Sequence, residues 1–142
     1  GMTWDDLQRE RRYSEFQVYA ESKLANIYFT RALASRLEGT NVTVNAVHPG
    51  VVATHFGADG DASRLFGFGI RLIRGFMRTP DQGAATTIKV ACDPALAGTS
   101  GLYFANSRIA KETRIARDPK EAERLWSVSE SMLAAARAKK SA

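Results

Sequence analysis

The stretch that most limits how this chain can fold runs from about residue 16 to residue 37. It holds no Gly or Pro, and Leu24, Ile27, Tyr28, Ala32 and Leu33 recur with helical spacing. One long helix is therefore expected. Gly39 supplies its stop, because glycine accepts the left-handed conformation at a helix end. Directly behind it, Asn41-Val42-Thr43-Val44-Asn45-Ala46-Val47 is β-prone and Pro49-Gly50 halts it, which reads as a buried strand.

The rest of the chain arranges itself around that pair. Residues 3–14 are polar and charged, an irregular or weakly helical approach. Residues 51–77 mix Gly57, Gly60, Gly67, Gly69 and Gly75 with apolar side chains, which suits a mobile lobe with short helices. Thr79-Pro80-Asp81-Gln82 has the form of a helix start, with Thr79 as cap, proline in the first turn and Gln82 closing a capping box. That helix should run to about Ala91, because Asp93-Pro94 disfavours its continuation. Leu102-Tyr103-Phe104-Ala105 reads as a second strand. Asp118-Pro119-Lys120-Glu121 repeats the capping logic before a closing helix whose face is marked by Ala122, Leu125, Trp126, Ser129, Met132, Leu133 and Ala136.

Strand, helix, strand in this order implies a parallel pair with a right-handed crossover. Parallel strands are normally covered on both faces and belong to larger sheets. Two of them cannot close an α/β core, so the sequence reads as part of a larger fold.

Composition narrows the function classes. The 142 residues are about one domain in length, and 44% hydrophobic with 25% charged sits near the average for globular proteins. No apolar run approaches the roughly 18 residues that cross a bilayer, and no secretory pattern opens the chain, so a cytoplasmic protein without a transmembrane segment is expected. The single cysteine, Cys92, excludes an internal disulfide, and His48 and His55 lack ligand partners at metal-binding spacing, so no metal site is expected. Twenty Lys+Arg against fifteen Asp+Glu give a net charge of +5. The basic residues are scattered and no aromatics interleave them, which argues against nucleic acid as a partner.

One constellation carries chemistry. In Tyr19-Ala20-Glu21-Ser22-Lys23 a phenol and an ammonium stand four residues apart near the start of the long helix, so both project from one face. A neighbouring cation favours the phenolate, the physical requirement for exchanging a proton with an alcohol or carbonyl oxygen near neutral pH. The spacing alone is weak, since it arises by chance in about one chain in five of this composition. Its bland alternative is an ordinary surface pair.

The surrounding residues make the pattern specific. Tyr19-Ala20-Glu21-Ser22-Lys23-Leu24-Ala25-Asn26, followed by Val42-Thr43-Val44-Asn45-Ala46-Val47-His48-Pro49-Gly50-Val51-Val52-Ala53-Thr54, resembles the active-site helix and next strand of short-chain dehydrogenases/reductases. Asp5-Asp6-Leu7-Gln8, Thr79-Pro80-Asp81-Gln82-Gly83-Ala84, Ala91-Cys92-Asp93-Pro94 and Gly101-Leu102-Tyr103-Phe104 resemble the retinol-dehydrogenase-like branch, in the right order.

The resemblance implies an α/β fold, the C-terminal portion of a Rossmann-type doubly wound parallel sheet with about two strands and three main helices. It implies Tyr19 and Lys23 as catalytic residues. Lys23, Pro49, Gly50, Val52 and Thr54 would bind the cofactor, NAD or NADP in the complete protein, with the branch leaning toward NADP. Residues 55–78 would resemble the substrate loop, with Phe56, Leu65, Phe66, Phe68, Ile70 and Phe76 available to line an apolar pocket, although core packing explains them equally well. Ser22 precedes the lysine in many relatives but reads as a helix-packing hydroxyl, and His48 and His55 read as structural or exposed.

The glycine-rich turn that holds the pyrophosphate in this family has no match here, nor does the catalytic serine, for Ser14 lies too near Tyr19 to occupy the preceding strand. The chain thus reads as a truncated single partial domain spanning residues 1–142, not expected to bind the dinucleotide tightly by itself. Two functional readings follow. In one, it represents an oxidoreductase that transfers hydride between NAD(P) and a small apolar alcohol or aldehyde in the complete protein, inactive alone. In the other, it is a non-catalytic remnant serving as a self-associating structural or binding module. A homo-oligomer is expected in either case, because the long helix carries apolar surface and helps form the family's dimer bundle.

Overall fold

The structure, a computed structural model, describes residues 1–50 and 78–141. Helix α1 spans Glu15–Arg36, strand β1 Ala46–His48, helix α2 Pro80–Cys92, strand β2 Tyr103–Ala105, strand β3 Arg108–Ile109 and helix α3 Pro119–Ser141. Single 3-10 turns lie at Trp4–Asp6 and Pro94–Leu96. The strands form one small sheet in the order β1-β2-β3. The elements are thus α/β, three main helices and a small mixed sheet, as in part of a Rossmann-type fold. The lobe expected at residues 55–78 lies outside the described residues apart from Arg78. Among the described residues no helix is long and apolar enough to cross a membrane, and no group of His, Cys, Asp and Glu is placed to hold a metal ion.

Several ends fall where the local chemistry put them. Gly39 sits at φ +78°, the left-handed stop beyond α1. The capping box at α2 is formed in full: Thr79 Oγ1 accepts the Gln82 amide at 3.3 Å and Gln82 Oε1 accepts the Thr79 amide at 3.0 Å. At α3, Asp118 Oδ1 accepts the Lys120 amide at 2.9 Å. Glu121, however, is drawn away from the expected second box and accepts the Trp4 indole N–H at 2.7 Å.

The strand expected over residues 41–47 is shorter and begins later. The Val44 amide donates to the Ser100 hydroxyl at 3.1 Å, and the Asn45 amide side chain bridges, donating to the Thr99 carbonyl at 2.7 Å and accepting from the Leu102 amide at 3.1 Å. Side chains thus replace the ladder there. The backbone bonds that do form, Gly101 N–H to Val44 O and Ala46 N–H to Leu102 O, climb both segments together, the parallel sense. β3 was not foreseen from the sequence. It pairs antiparallel with β2 through a two-residue turn, Asn106-Ser107, whose φ values of 54° and 57° are those of the hairpin turn that matches strand twist.

The chain divides into two compact units, Gly1–Ala46 with Gly98–Tyr103 and Lys111–Ala142, and Val47–Ala97 with Phe104–Ala110. In the first, Tyr28, Ala32 and Ala122 form the buried core of the α1–α3 contact, with Met2, Leu24, Leu125 and Trp126 packed against it. The Tyr28 ring is fully buried, and its hydroxyl donates to the Ile115 carbonyl at 3.1 Å. Burial, with Glu121 and Asp118 nearby, pushes this phenol up from its ordinary value.

The same unit holds a buried carboxylate on α1. Glu21 takes Arg9 Nη2 at 2.5 Å, the Thr3 amide at 3.2 Å, the Thr3 hydroxyl at 2.9 Å and the Gln17 side-chain amide at 3.0 Å. Arg9 is aimed there by a backbone turn at φ 56°, which Asp6 braces by accepting the amides of Glu10, Arg11 and Arg12. Burial would raise the Glu21 carboxyl, but its hydrogen bonds from Arg9, Thr3 and Gln17 prevail and hold it at about 2. The approach segment is therefore strapped to α1.

Two outcomes follow for urea denaturation. Tyr28→Phe should cost about 1 kcal/mol, the lost hydrogen bond, and Tyr28→Ala about 3–4 kcal/mol, the lost ring; equal small losses would contradict the core. The unfolded Glu21 carboxyl binds its proton near the ordinary 4.5, so between there and about 2 the unfolded state holds more protons and stability is lost as the pH is lowered. That acid-sensitive component should be absent in Glu21→Gln, which should itself lower stability at neutral pH by about 2 kcal/mol.

Candidate active site

α1 presents its two chemical residues by simple geometry. Tyr19 precedes Tyr28, and Lys23 precedes Ala32, by nine residues, about two and a half helical turns. Burying Tyr28 and Ala32 consequently turns Tyr19 and Lys23 to the opposite side, and both are exposed, Tyr19 by 56%. The Lys23 ammonium lies over the Tyr19 ring, 5.1 Å from its centroid, within the range at which a cation is attracted to a π face. The structure thus brings this pair together. An exposed phenol with an adjacent ammonium can exchange a proton with a ligand oxygen laid against the helix.

Ser22 is accounted for within the helix, since its hydroxyl donates to the Tyr19 carbonyl at 2.7 Å. Glu21, on the opposite side of the helix from Tyr19 and Lys23, belongs to the strap. Sequence reasoning passed over Glu21 and Arg9, although a signal was there: residues 21, 28 and 32 share one stripe of α1, and a charge on an otherwise apolar stripe demands a partner.

The other expected cofactor residues fall elsewhere. Pro49 and Gly50 follow β1 in the second unit, and Val52 and Thr54 lie outside the described residues. Gly50 is at φ +84°, and a Cβ there would stand 2.8 Å from Arg78 Cδ and 2.9 Å from Arg78 Nε. Only glycine lets the arginine cross this turn. The Arg78 guanidinium continues to Asn106 Oδ1. With Gln82, Ala85 and Ser107 these two residues line an open depression of about 460 Å³. Nothing in the sequence before Thr79 marked Arg78 for that position. His48 and Cys92 are exposed.

Comparison with known proteins shows what this chain is similar to. The pattern described as short chain dehydrogenase matches residues 8–64, a span that includes Tyr19, Lys23, Pro49, Gly50, Val52 and Thr54. Retinol dehydrogenase 14 of Mus musculus is 43% identical over 133 residues, covering 93% of this chain and 40% of the relative. Retinol dehydrogenase 12 of Homo sapiens is 44% identical over 124 residues, 87% of this chain and 38% of the relative. The chloroplastic short-chain dehydrogenase TIC 32 B of Brassica napus is 36% identical over 135 residues, 91% of this chain and 40% of the relative. The chain thus matches the short-chain dehydrogenase family, in its retinol-dehydrogenase-like branch, and spans about 40% of the length of these relatives.

Proposed function

We propose that this chain carries the proton-exchanging part of a short-chain oxidoreductase site, with Tyr19 and Lys23 as its catalytic residues and an apolar alcohol or aldehyde as substrate. The observation that carries this reading is the placement of an exposed phenol and an ammonium together on the open face of α1, 5.1 Å from nitrogen to ring centroid. The family match, and what the names of the retinol dehydrogenases say of their substrate, support the same assignment.

The exposed pair suits the ribose end of a nicotinamide dinucleotide, which offers hydroxyls for an ammonium to bind. A bound NAD or NADP supplies or accepts the hydride. In the reducing direction, Tyr19 Oη gives its proton to the substrate oxygen as that oxygen gains charge, and the Lys23 ammonium stabilises the phenolate left behind. In the oxidising direction the phenolate takes the alcohol proton. Lys23 would also hold the ribose hydroxyls of the dinucleotide. Pro49, Gly50, Val52 and Thr54 are assigned to the nicotinamide end of the cofactor by the same family resemblance. The pyrophosphate would be held outside this sequence, because no glycine-rich turn of the family's spacing occurs in it.

Self-association is part of the proposal, and it is the core of the second reading, a non-catalytic module. The observation favouring that second reading is apolar surface left in the open on the first unit, at Phe16, Leu133, Val42 and Phe29.

A chimera separates the two. This chain replaces the matching segment of retinol dehydrogenase 14 of Mus musculus, and NADPH- or NADH-dependent aldehyde reduction is followed by nicotinamide absorbance. The chimera should turn over, the isolated chain should not, and Tyr19→Phe in the chimera should cost about 10²- to 10⁴-fold in kcat. Turnover that survives Tyr19→Phe would contradict the assigned role, and a folded chimera with none would favour the non-catalytic module.

A further inference from the structure

The open depression beside Gly50 is lined by groups that donate hydrogen bonds. Among the described residues its walls are Arg78, Gln82, Ala85, Asn106 and Ser107, all within the second unit and none of them a carboxylate. Two bonds decide which way the amides work. Gln82 Oε1 accepts the Thr79 amide at 3.0 Å in the capping box, which leaves the Gln82 NH2 group to donate. Asn106 Oδ1 accepts from the Arg78 guanidinium, which leaves the Asn106 NH2 group to donate as well. The guanidinium keeps further N–H groups after that bond, and no ion pair among the described residues involves Arg78.

The walls are anchored from behind. Arg78 lies across Gly50, where a Cβ would stand in its path. The Ser107 amide donates to Thr86 Oγ1 at 3.1 Å, and Thr86 is fully buried, so the hairpin tip is tied to α2. Asn106 and Ser107 follow directly on β2, as Pro49 and Gly50 follow on β1, so the depression lies beyond the carboxyl ends of these parallel strands. In α/β sheets that is the end at which ligands bind.

We propose that this depression binds the phosphate group of a small molecule. A guanidinium, two amide NH2 groups and a hydroxyl offer donors in several directions, which suits the three terminal oxygens of a phosphate better than the two of a carboxylate. Arg78 brings a full charge that no carboxylate in the walls neutralises. About 460 Å³ leaves room for an organic body behind the phosphate. Nearby charges favour an anion as well. Arg108 stands on β3 of the same hairpin, Asp93 is taken by Lys89 at 3.7 Å, and Asp81 does not line the space. The proposal does not rest on hydride transfer, since Tyr19 and Lys23 belong to the first unit.

Proton–nitrogen NMR of the 142-residue chain, titrated with inorganic phosphate at constant ionic strength, tests it. Saturable shifts are expected at the Arg78 Nε–H and at the Gln82 and Asn106 side-chain amides, with a dissociation constant of about 10⁻³ M. Arg78→Met should abolish them. Gln82→Glu and Asn106→Asp each keep the oxygen that accepts from Thr79 or Arg78 and replace the NH2 group with negative charge. Each should weaken binding at least about tenfold while the rest of the spectrum stays in place. Lys89→Met removes an equal charge from the same unit outside the depression and should leave the constant unchanged. Ribose 5-phosphate separates the two sources of the group: tighter binding than phosphate assigns the site to an ester, and equal binding to the free ion. No saturable shift at about 50 mM phosphate, a loss in Lys89→Met equal to that in Arg78→Met, or acetate binding as tightly as phosphate would each overturn the proposal.

Discussion

Burial of Tyr28 against Ala122 of α3, with its hydroxyl committed to the Ile115 carbonyl, fixes the rotation of α1 about its own axis. Everything chemical on that helix depends on this. Because Tyr19 and Lys23 each stand nine residues before a buried neighbour, packing one side presents the other. The two tyrosines consequently play opposite parts. Tyr28 is dry, hydrogen-bonded and harder to ionise, and Tyr19 is wet with a cation on its ring. Residue type alone does not distinguish them; position on the helix does.

Electrostatics then holds the start of α1 where packing is thin. Residues 15–20 bury little, so the Glu21 cage is what ties this part of the helix to the approach segment, through Arg9, Thr3 and Gln17. Farther along, Arg31 pairs with Glu112 and joins α1 to the segment leading into α3. Arg31 Nε and Glu112 Oε1 remain buried without a protein partner, so this second pair contributes orientation more than stability. Fully satisfied charge near Tyr19 and incompletely satisfied charge at Glu112 make the first clamp the stronger one.

Much of this was legible in the residues themselves. The glycine-free run, Gly39, and Thr79 with Gln82 place α1 and α2 because local hydrogen bonding and backbone freedom decide those ends. The Tyr19–Lys23 pairing followed from helical spacing. What escaped was set at a distance. Asn45 replaces ladder bonds with side-chain bonds to Thr99 and Leu102, and Glu121 leaves its cap for Trp4, a partner 117 residues away. Neither bond has a local signature. The β3 turn did carry one, Asn106-Ser107, but serine is a weak marker for a left-handed position.

The most direct measurement of the account is residue-resolved nitration of tyrosine in the folded chain, read by mass spectrometry. Tyr19 should be modified readily, together with exposed Tyr13, and Tyr28 should stay unmodified until the chain unfolds. Protection of Tyr19 in the folded chain, or modification of Tyr28 at a comparable rate, would mean that α1 is rotated otherwise and that no phenol stands open beside Lys23.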